Sequence, residues 1–145
     1  MSFDARGIGK YRNISEARIE GFEAATNIDF CKYFRLVGNA TWQDTKNRSA
    51  IRAFNGKNLP GRYEDTYLVR VEALYKGLKI YNEYVREEDL FYDTANLLKA
   101  KNKNELNAGV SWLFRSFRFS FEAKNISDHQ HEDFNGFPLP DVRLL

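Results

Sequence analysis

The sequence predicts an all-β chain: an antiparallel up-and-down meander whose strands each have one face nearly free of charge and one face rich in it. Three observations carry this. Six stretches alternate apolar and polar residues with period two, the pattern of a strand with two unlike faces, since successive side chains point to opposite sides. The segments joining them alternate short and long along the chain. Aromatic residues make up 15% of the sequence, with Phe 12 and Tyr 8, and on the uncharged face they gather near its two ends.

The hairpin over residues 65–85 is the clearest element. Tyr67, Val69, Val71, Ala73 and Tyr75 fall on one face of its first strand, and Leu68, Arg70, Glu72 and Leu74 on the other. After Lys76-Gly77 the alternation resumes, with Leu78, Ile80, Asn82 and Tyr84 against Lys79, Tyr81, Glu83 and Val85. Upstream, residues 15–28 form the poorest strand. Ala17, Ile19, Gly21 and Ala25 oppose Arg18, Glu20 and Phe22, and Glu23 then falls on the nominally apolar face. A short turn over residues 29–33 leads to a second strand, where Phe34, Leu36, Gly38, Ala40 and Trp42 oppose Arg35, Val37, Asn39, Thr41 and Gln43. A fifth strand sets Leu106, Ala108, Val110, Trp112 and Phe114 against Glu105, Asn107, Gly109 and Ser111. Arg115-Ser116 turns the chain into a sixth, with Phe117, Phe119, Phe121 and Ala123 against Arg118, Ser120, Glu122 and Lys124.

Residues 44–64, 87–103 and 125–145 are long polar segments carrying turn chemistry such as Asn55-Gly56, Pro60-Gly61 and Asn135-Gly136. In a meander all short turns then lie at one end of the sheet and all long loops at the other, the layout of outer-membrane barrels. Phe34, Tyr75, Phe114 and Phe117 mark the short-turn end of the uncharged face; Trp42, Tyr67 and Tyr84 mark the long-loop end. Two aromatic rows with aliphatic residues between them match the interfacial belts of a bilayer. A charge on the lipid side at the midplane costs about 2–4 kcal/mol, so the charged face is expected to meet water in the lumen of a wide barrel. The chain is one domain's worth in length, and no run reaches the ~20 apolar residues of a spanning helix or reads as a signal peptide. A mean hydropathy of −0.59 does not oppose a membrane strand, which hides its apolar half by alternation. The alternative is a soluble antiparallel sheet with one wet face, lectin-like or lipocalin-like, which accounts for the alternation but not for the loop asymmetry or the aromatic rows.

Five motifs carry a family resemblance. Residues 13–23, reading Asn-Ile-Ser-Glu-Ala-Arg-Ile-Glu-Gly-Phe-Glu, resemble a barrel strand closing in Gly-x-Glu; residues 39–44 resemble the upward strand that follows it. Gly56-Lys57-Asn58-Leu59-Pro60-Gly61-Arg62 resembles a Gly-x-x-Leu-Pro loop, and Lys124-Asn125-Ile126-Ser127-Asp128 a Val-x-Asn-Leu-x-Asp signature. Gly136-Phe137-Pro138-Leu139-Pro140-Asp141-Val142-Arg143 resembles a Gly-Tyr-x-x-Pro-Gly-Arg approach to a last strand. In this order and spacing they resemble the C-terminal barrel region of TonB-dependent outer-membrane receptors.

The resemblance implies that residues 1–145 are the C-terminal portion of a barrel of about 22 strands, a receptor or transporter in the bacterial outer membrane for a ferric siderophore, cobalamin or another scarce solute. The implied partners are outer-membrane lipid, the remainder of the barrel with its plug, the TonB complex through the N-terminal part, and a small-molecule ligand. Plug, TonB-contacting segment and last strand are expected to be absent from this piece. Leu36, Ala40, Trp42, Tyr67, Val69, Val71, Tyr75, Ile80, Val110, Phe119 and Phe121 are expected to face the membrane, and Arg35, Arg70, Glu72, Glu83, Arg118, Glu122 and Lys124 the lumen.

Nothing points to an enzyme: no Ser-His-Asp, Cys-His or paired-carboxylate arrangement stands out. His129 and His131, near Glu132 and Asp133, have the residue types of a metal pair but sit in a polar loop, so neither metal nor cofactor is expected. Gly7-Ile8-Gly9-Lys10 lacks the spacing, the Ser/Thr and the helix of a phosphate loop. Arg115 to Phe121 alternates basic and aromatic residues as an RNA-binding strand does, but no helical period flanks it. With a net charge of +2, no nucleic-acid partner is expected. The single Cys31 supports no intrachain disulfide, and Glu87-Glu88-Asp89 with Asp93 reads as a solvated loop tip.

Overall fold

The computed structural model describes residues 2–3, 9–10, 16–130, 132–134, 137–138 and 142–145. Among them there is no helix. Seven strands run up and down in one antiparallel sheet, in chain order across its width: β1 (Ala17–Phe30), β2 (Phe34–Asn47), β3 (Asp65–Tyr75), β4 (Leu78–Glu88), β5 (Lys103–Phe114), β6 (Phe117–Lys124) and β7 (Arg143–Leu144). Two small hairpins stand apart, Ser2–Phe3 with Gly9–Lys10 and Glu132–Phe134 with Phe137–Pro138.

The short connections are residues 31–33, 76–77 and 115–116, all at one end; residues 48–64 and 89–102 lie at the other end, where the chain also leaves β6 at Asn125. The tight turns need left-handed backbone, which Lys76 and Gly77 supply together (φ 44° and 83°) and Cys31 and Arg115 singly (φ 51° and 54°).

One transverse row of register partners runs Ile28, Leu36, Val71, Asn82, Ala108, Ala123 and Leu144; the next runs Asp29, Arg35, Glu72, Tyr81, Gly109 and Glu122. Partners directly opposite share a face, so apolar and charged residues segregate across the sheet as the alternation predicts. In β1 the parity is the reverse of the sequence expectation. Phe22 pairs with Trp42, Ala24 with Ala40 and Ile28 with Leu36, while Glu23 pairs with Thr41. Glu23 therefore belongs to the charged face, and Phe22 stacks on Trp42 with centroids 5.8 Å apart. In so sparse a strand only the register reveals which half of the alternation is apolar.

β2, β4 and β5 run further at the loop end than the alternation suggests. β2 reaches Asn47 and β4 Glu88, which sets Arg86 opposite Tyr67 and Glu88 opposite Asp65 on the uncharged face, while β1 keeps the expected 14 residues, shifted to Ala17–Phe30. At the chain's end the expected loop re-enters the sheet: Arg143 pairs with Lys124 and Leu144 with Ala123, and Glu122 and Leu145 exchange both backbone hydrogen bonds.

Burial is inverted relative to an ordinary soluble sheet. The buried apolar residues among those described are Leu59, Leu90 and Ala100, all in the long loops, whereas the strands bury Thr45, Asn47, Glu72, Glu83, Glu105 and Asn107. On the opposite face Val71 is 50% exposed, Phe119 60% and Val110 38%. No helix among the described residues is long and apolar enough to cross a membrane, which says nothing about strands.

Candidate functional site

The charged face forms one connected wall. Arg70 on β3 donates from Nε to Glu83 on β4 at 2.8 Å and ion-pairs with it through Nη2 at 2.5 Å. Glu83 also accepts from Asn107 Nδ2 on β5 at 3.1 Å. Lys79 holds Glu72 at 2.6 Å, with Arg70 Nη1 3.7 Å from the same carboxylate oxygen. Glu72 and Glu83 keep 5% and 11% of their side chains exposed, and a buried carboxylate left unpaired is strongly destabilising. The network thus holds the wall together across three strands.

Tyr81 lies at its centre. Arg70 sits 4.7 Å and Lys79 5.9 Å from its ring centroid, and its hydroxyl reaches Glu122 on β6. The ring lies over Gly109, its register partner on β5, where an added Cβ would fall inside the ring's contact distance. A strand glycine marks such a close approach. Arg35 pairs with Asp29 at 2.7 Å at the short-turn end. Arg118 and Lys124 make no ion pair among the described residues, and both line a cleft with Arg70, Tyr81 and Glu122.

Above this wall the loops brace one another. Asn96 accepts from the Asn58 backbone N–H at 2.7 Å and donates to the Asn58 carbonyl at 3.1 Å, joining residues 89–102 to residues 48–64. The Gly61 N–H donates to the Phe91 carbonyl at 2.8 Å. Thr45 Oγ1 accepts from the Leu59 N–H at 3.2 Å and meets Glu64 Oε1 at 3.2 Å. Asp93 accepts from the backbone N–H groups of Ala95, Leu97 and Leu98, shaping a tip that leaves Leu97 exposed. Asn125, almost wholly buried, takes the His129 N–H at 3.1 Å and donates to its carbonyl. Its own N–H donates to Asn107 Oδ1 at 2.9 Å, tying the third loop to the wall.

All seven residues expected on the lumen side share the charged face. All eleven expected on the membrane side share the other, with Trp42 Nε1 donating to Tyr67 Oη at 2.8 Å in the loop-end row. Of the two histidines, His129 Nε2 lies 3.1 Å from the Asn102 carbonyl, and His131 is outside the described residues. Residues 13–15, Gly7-Ile8, Asn135-Gly136 and residues 139–141 lie outside them as well. Among the described residues no cluster of three or more metal-ligating side chains occurs. Cys31 is exposed at its turn. The Asn58–Asn96 brace and the Tyr81–Gly109 pair escape the sequence. Gly109 inside a strand is the one available signal, and its partner is visible only once β4 and β5 are in register.

No family model matches the chain, and no curated protein matches it in sequence. Solved structures do. The siderophore receptor PiuA of Acinetobacter baumannii superposes with TM-score 0.69 at 13% identity, over 88% of this chain and 20% of that one. The ferric yersiniabactin uptake receptor FyuA of Yersinia pestis gives 0.72 at 13% identity, over 88% and 22%. BauA, the ferric preacinetobactin receptor of Acinetobacter baumannii, gives 0.64 at 15% identity, over 88% and 20%. At these identities the likeness is one of fold: the meander superposes on a segment of each of these receptors. The chain spans about a fifth of the length of the receptors it matches.

Proposed function

We propose that this chain is a wall segment of a TonB-dependent receptor in a bacterial outer membrane, taking up a scarce metal chelate such as a ferric siderophore. The observation that carries this is the inverted burial. Across β3 to β5, between the two aromatic rows, the uncharged face is the more exposed and the charged face the more occluded, the arrangement a bilayer outside and water inside demand. A sheet with two open edges leaves backbone groups that lipid cannot satisfy, so the rest of a barrel, of about 22 strands in transporters of this size class, completes the wall. The three braced loops stand at the extracellular end and take part in capturing ligand. Arg118 and Lys124, together with the network around Arg70, hydrate the lumen and hold acidic groups of the plug, whose coupling to TonB drives release. The siderophore receptors of like fold support the ligand class.

Expression without detergent tests this. The expected result is a chain that acquires β structure only in lipid or detergent. A monodisperse, cooperatively unfolding monomer in plain buffer overturns the proposal in favour of a soluble sheet.

A further inference from the structure

We propose that the three short turns form a rim that binds the phosphate headgroups of anionic phospholipid. This rests on the membrane assignment above and adds a chemical preference to one edge of it. Each turn places a cation over an aromatic ring: Lys32 Nζ lies 5.0 Å from the Tyr33 centroid, Lys76 Nζ 5.3 Å from Tyr75, and Arg115 Cζ 5.4 Å from Phe114. The rings form two aromatic pairs at this end: Tyr33 and Tyr75 are 5.9 Å apart, and Phe114 is 5.2 Å from Trp112. Tyr75, Trp112 and Phe114 belong to the exposed uncharged face. A ring at the level of the acyl boundary with a cation at its outer edge sets that cation at phosphate depth.

The charge balance points the same way. Residues 28–36, 73–80 and 111–119 carry Lys32, Arg35, Lys76, Lys79, Arg115 and Arg118 against one carboxylate, Asp29. Arg35 engages Asp29 and Lys79 engages Glu72. Lys32, Lys76 and Arg115 form no ion pair among the described residues. At the loop end, by contrast, Lys46, Arg86, Lys99 and Lys103 are matched by Asp44, Glu88, Asp89 and Glu87 at 2.5–2.9 Å. Residues 44–64, 86–104 and 124–145 at that end together carry eleven Lys and Arg, the unmatched Arg48, Arg52, Lys57 and Arg62 among them, against ten carboxylates, so the net positive charge is largest at the short-turn rim. Lys76 and Arg115 hold left-handed backbone that Asn or Gly adopts with less strain, so turn geometry alone does not account for basic residues there.

The two tryptophans report on the two rims, Trp112 beside the turns and Trp42 beside the loops. A receptor barrel carrying this segment, its tryptophans elsewhere replaced by Phe, is reconstituted, as Trp42→Phe and Trp112→Phe variants, into phosphatidylcholine vesicles. These contain acyl-brominated phosphatidylglycerol or acyl-brominated phosphatidylcholine at the same mole fraction. Trp112 is expected to be quenched about twofold more strongly by the anionic lipid, and Trp42 equally by both. The preference is expected to vanish in ~1 M salt, where the Debye length is about 3 Å. It is also expected to vanish in the Lys32→Gln, Lys76→Gln, Arg115→Gln triple variant. Equal quenching of Trp112 by the two lipids overturns the rim while leaving the membrane assignment standing, as does the same preference at Trp42 or its survival in the triple variant. Absence of quenching at both tryptophans overturns the membrane assignment and the rim with it.

Discussion

Val71 and Arg70 are consecutive in β3 and meet opposite surroundings. Val71 stands half exposed midway between Tyr67 and Tyr75, while Arg70 is drawn into the cluster of Glu72, Glu83 and Tyr81. On a lipid-facing surface Val71→Arg costs about 2–4 kcal/mol at the midplane and is expected to lower the folded, membrane-inserted fraction in a reconstitution assay. Arg70→Glu leaves that surface untouched but sets a third carboxylate beside two buried ones. It is expected to lower the denaturation midpoint, because Glu83 loses its cation, and to alter plug seating or uptake in a full-length receptor carrying this segment. Normal insertion of Val71→Arg reverses the face assignment. Gly109 gives a second single-residue test. Gly109→Ala drives a methyl into the Tyr81 ring, and overpacking of this kind costs about 1–3 kcal/mol. Gly38→Ala meets the Thr26 methyl at 3.0 Å and the Leu68 carbonyl oxygen at an ordinary 3.9 Å, so its denaturation midpoint in detergent is expected to shift less.

At the scale of elements, loops and strands are stabilised by different means. The strands rest on backbone ladders and a charged wall, whereas the loops hold the few buried aliphatic residues and are joined by asparagines. Asn96 adopts φ 57°, so Asn96→Gly keeps the backbone turn and removes both bonds to Asn58. Limited proteolysis is expected to cut residues 48–64 and 89–102 several-fold faster in that variant, with amide exchange in β3 and β4 unchanged. Strands β2 to β6 were legible in the sequence because their alternation is dense and their turns short. β1 was legible as a strand but not in its parity, since Ala17, Ile19, Gly21 and Ala25 make as plausible an apolar row as Phe22, Ala24 and Ile28 until β2 is laid beside it. β7 was hidden because two paired residues carry no period. The braces were hidden because Asn58 and Asn96 stand far apart in sequence and each reads as loop chemistry.

At the scale of the whole molecule, the sheet has polar crowding where a soluble protein would have its hydrophobic centre, and it has two open edges. The separation of charge between faces was readable from the sequence, since it follows from period two alone. How deeply the wall is buried was not, because Glu72 and Glu83 acquire their cover only from neighbours on adjoining strands. Cys31 turns this architecture into a means of orientation. It is the chain's one thiol, it is exposed, and it sits on the first of the three tight turns. A maleimide too polar to diffuse through a bilayer is expected to modify it from the periplasmic compartment alone. Labelling from outside intact cells would mean that the molecule threads its envelope upside down.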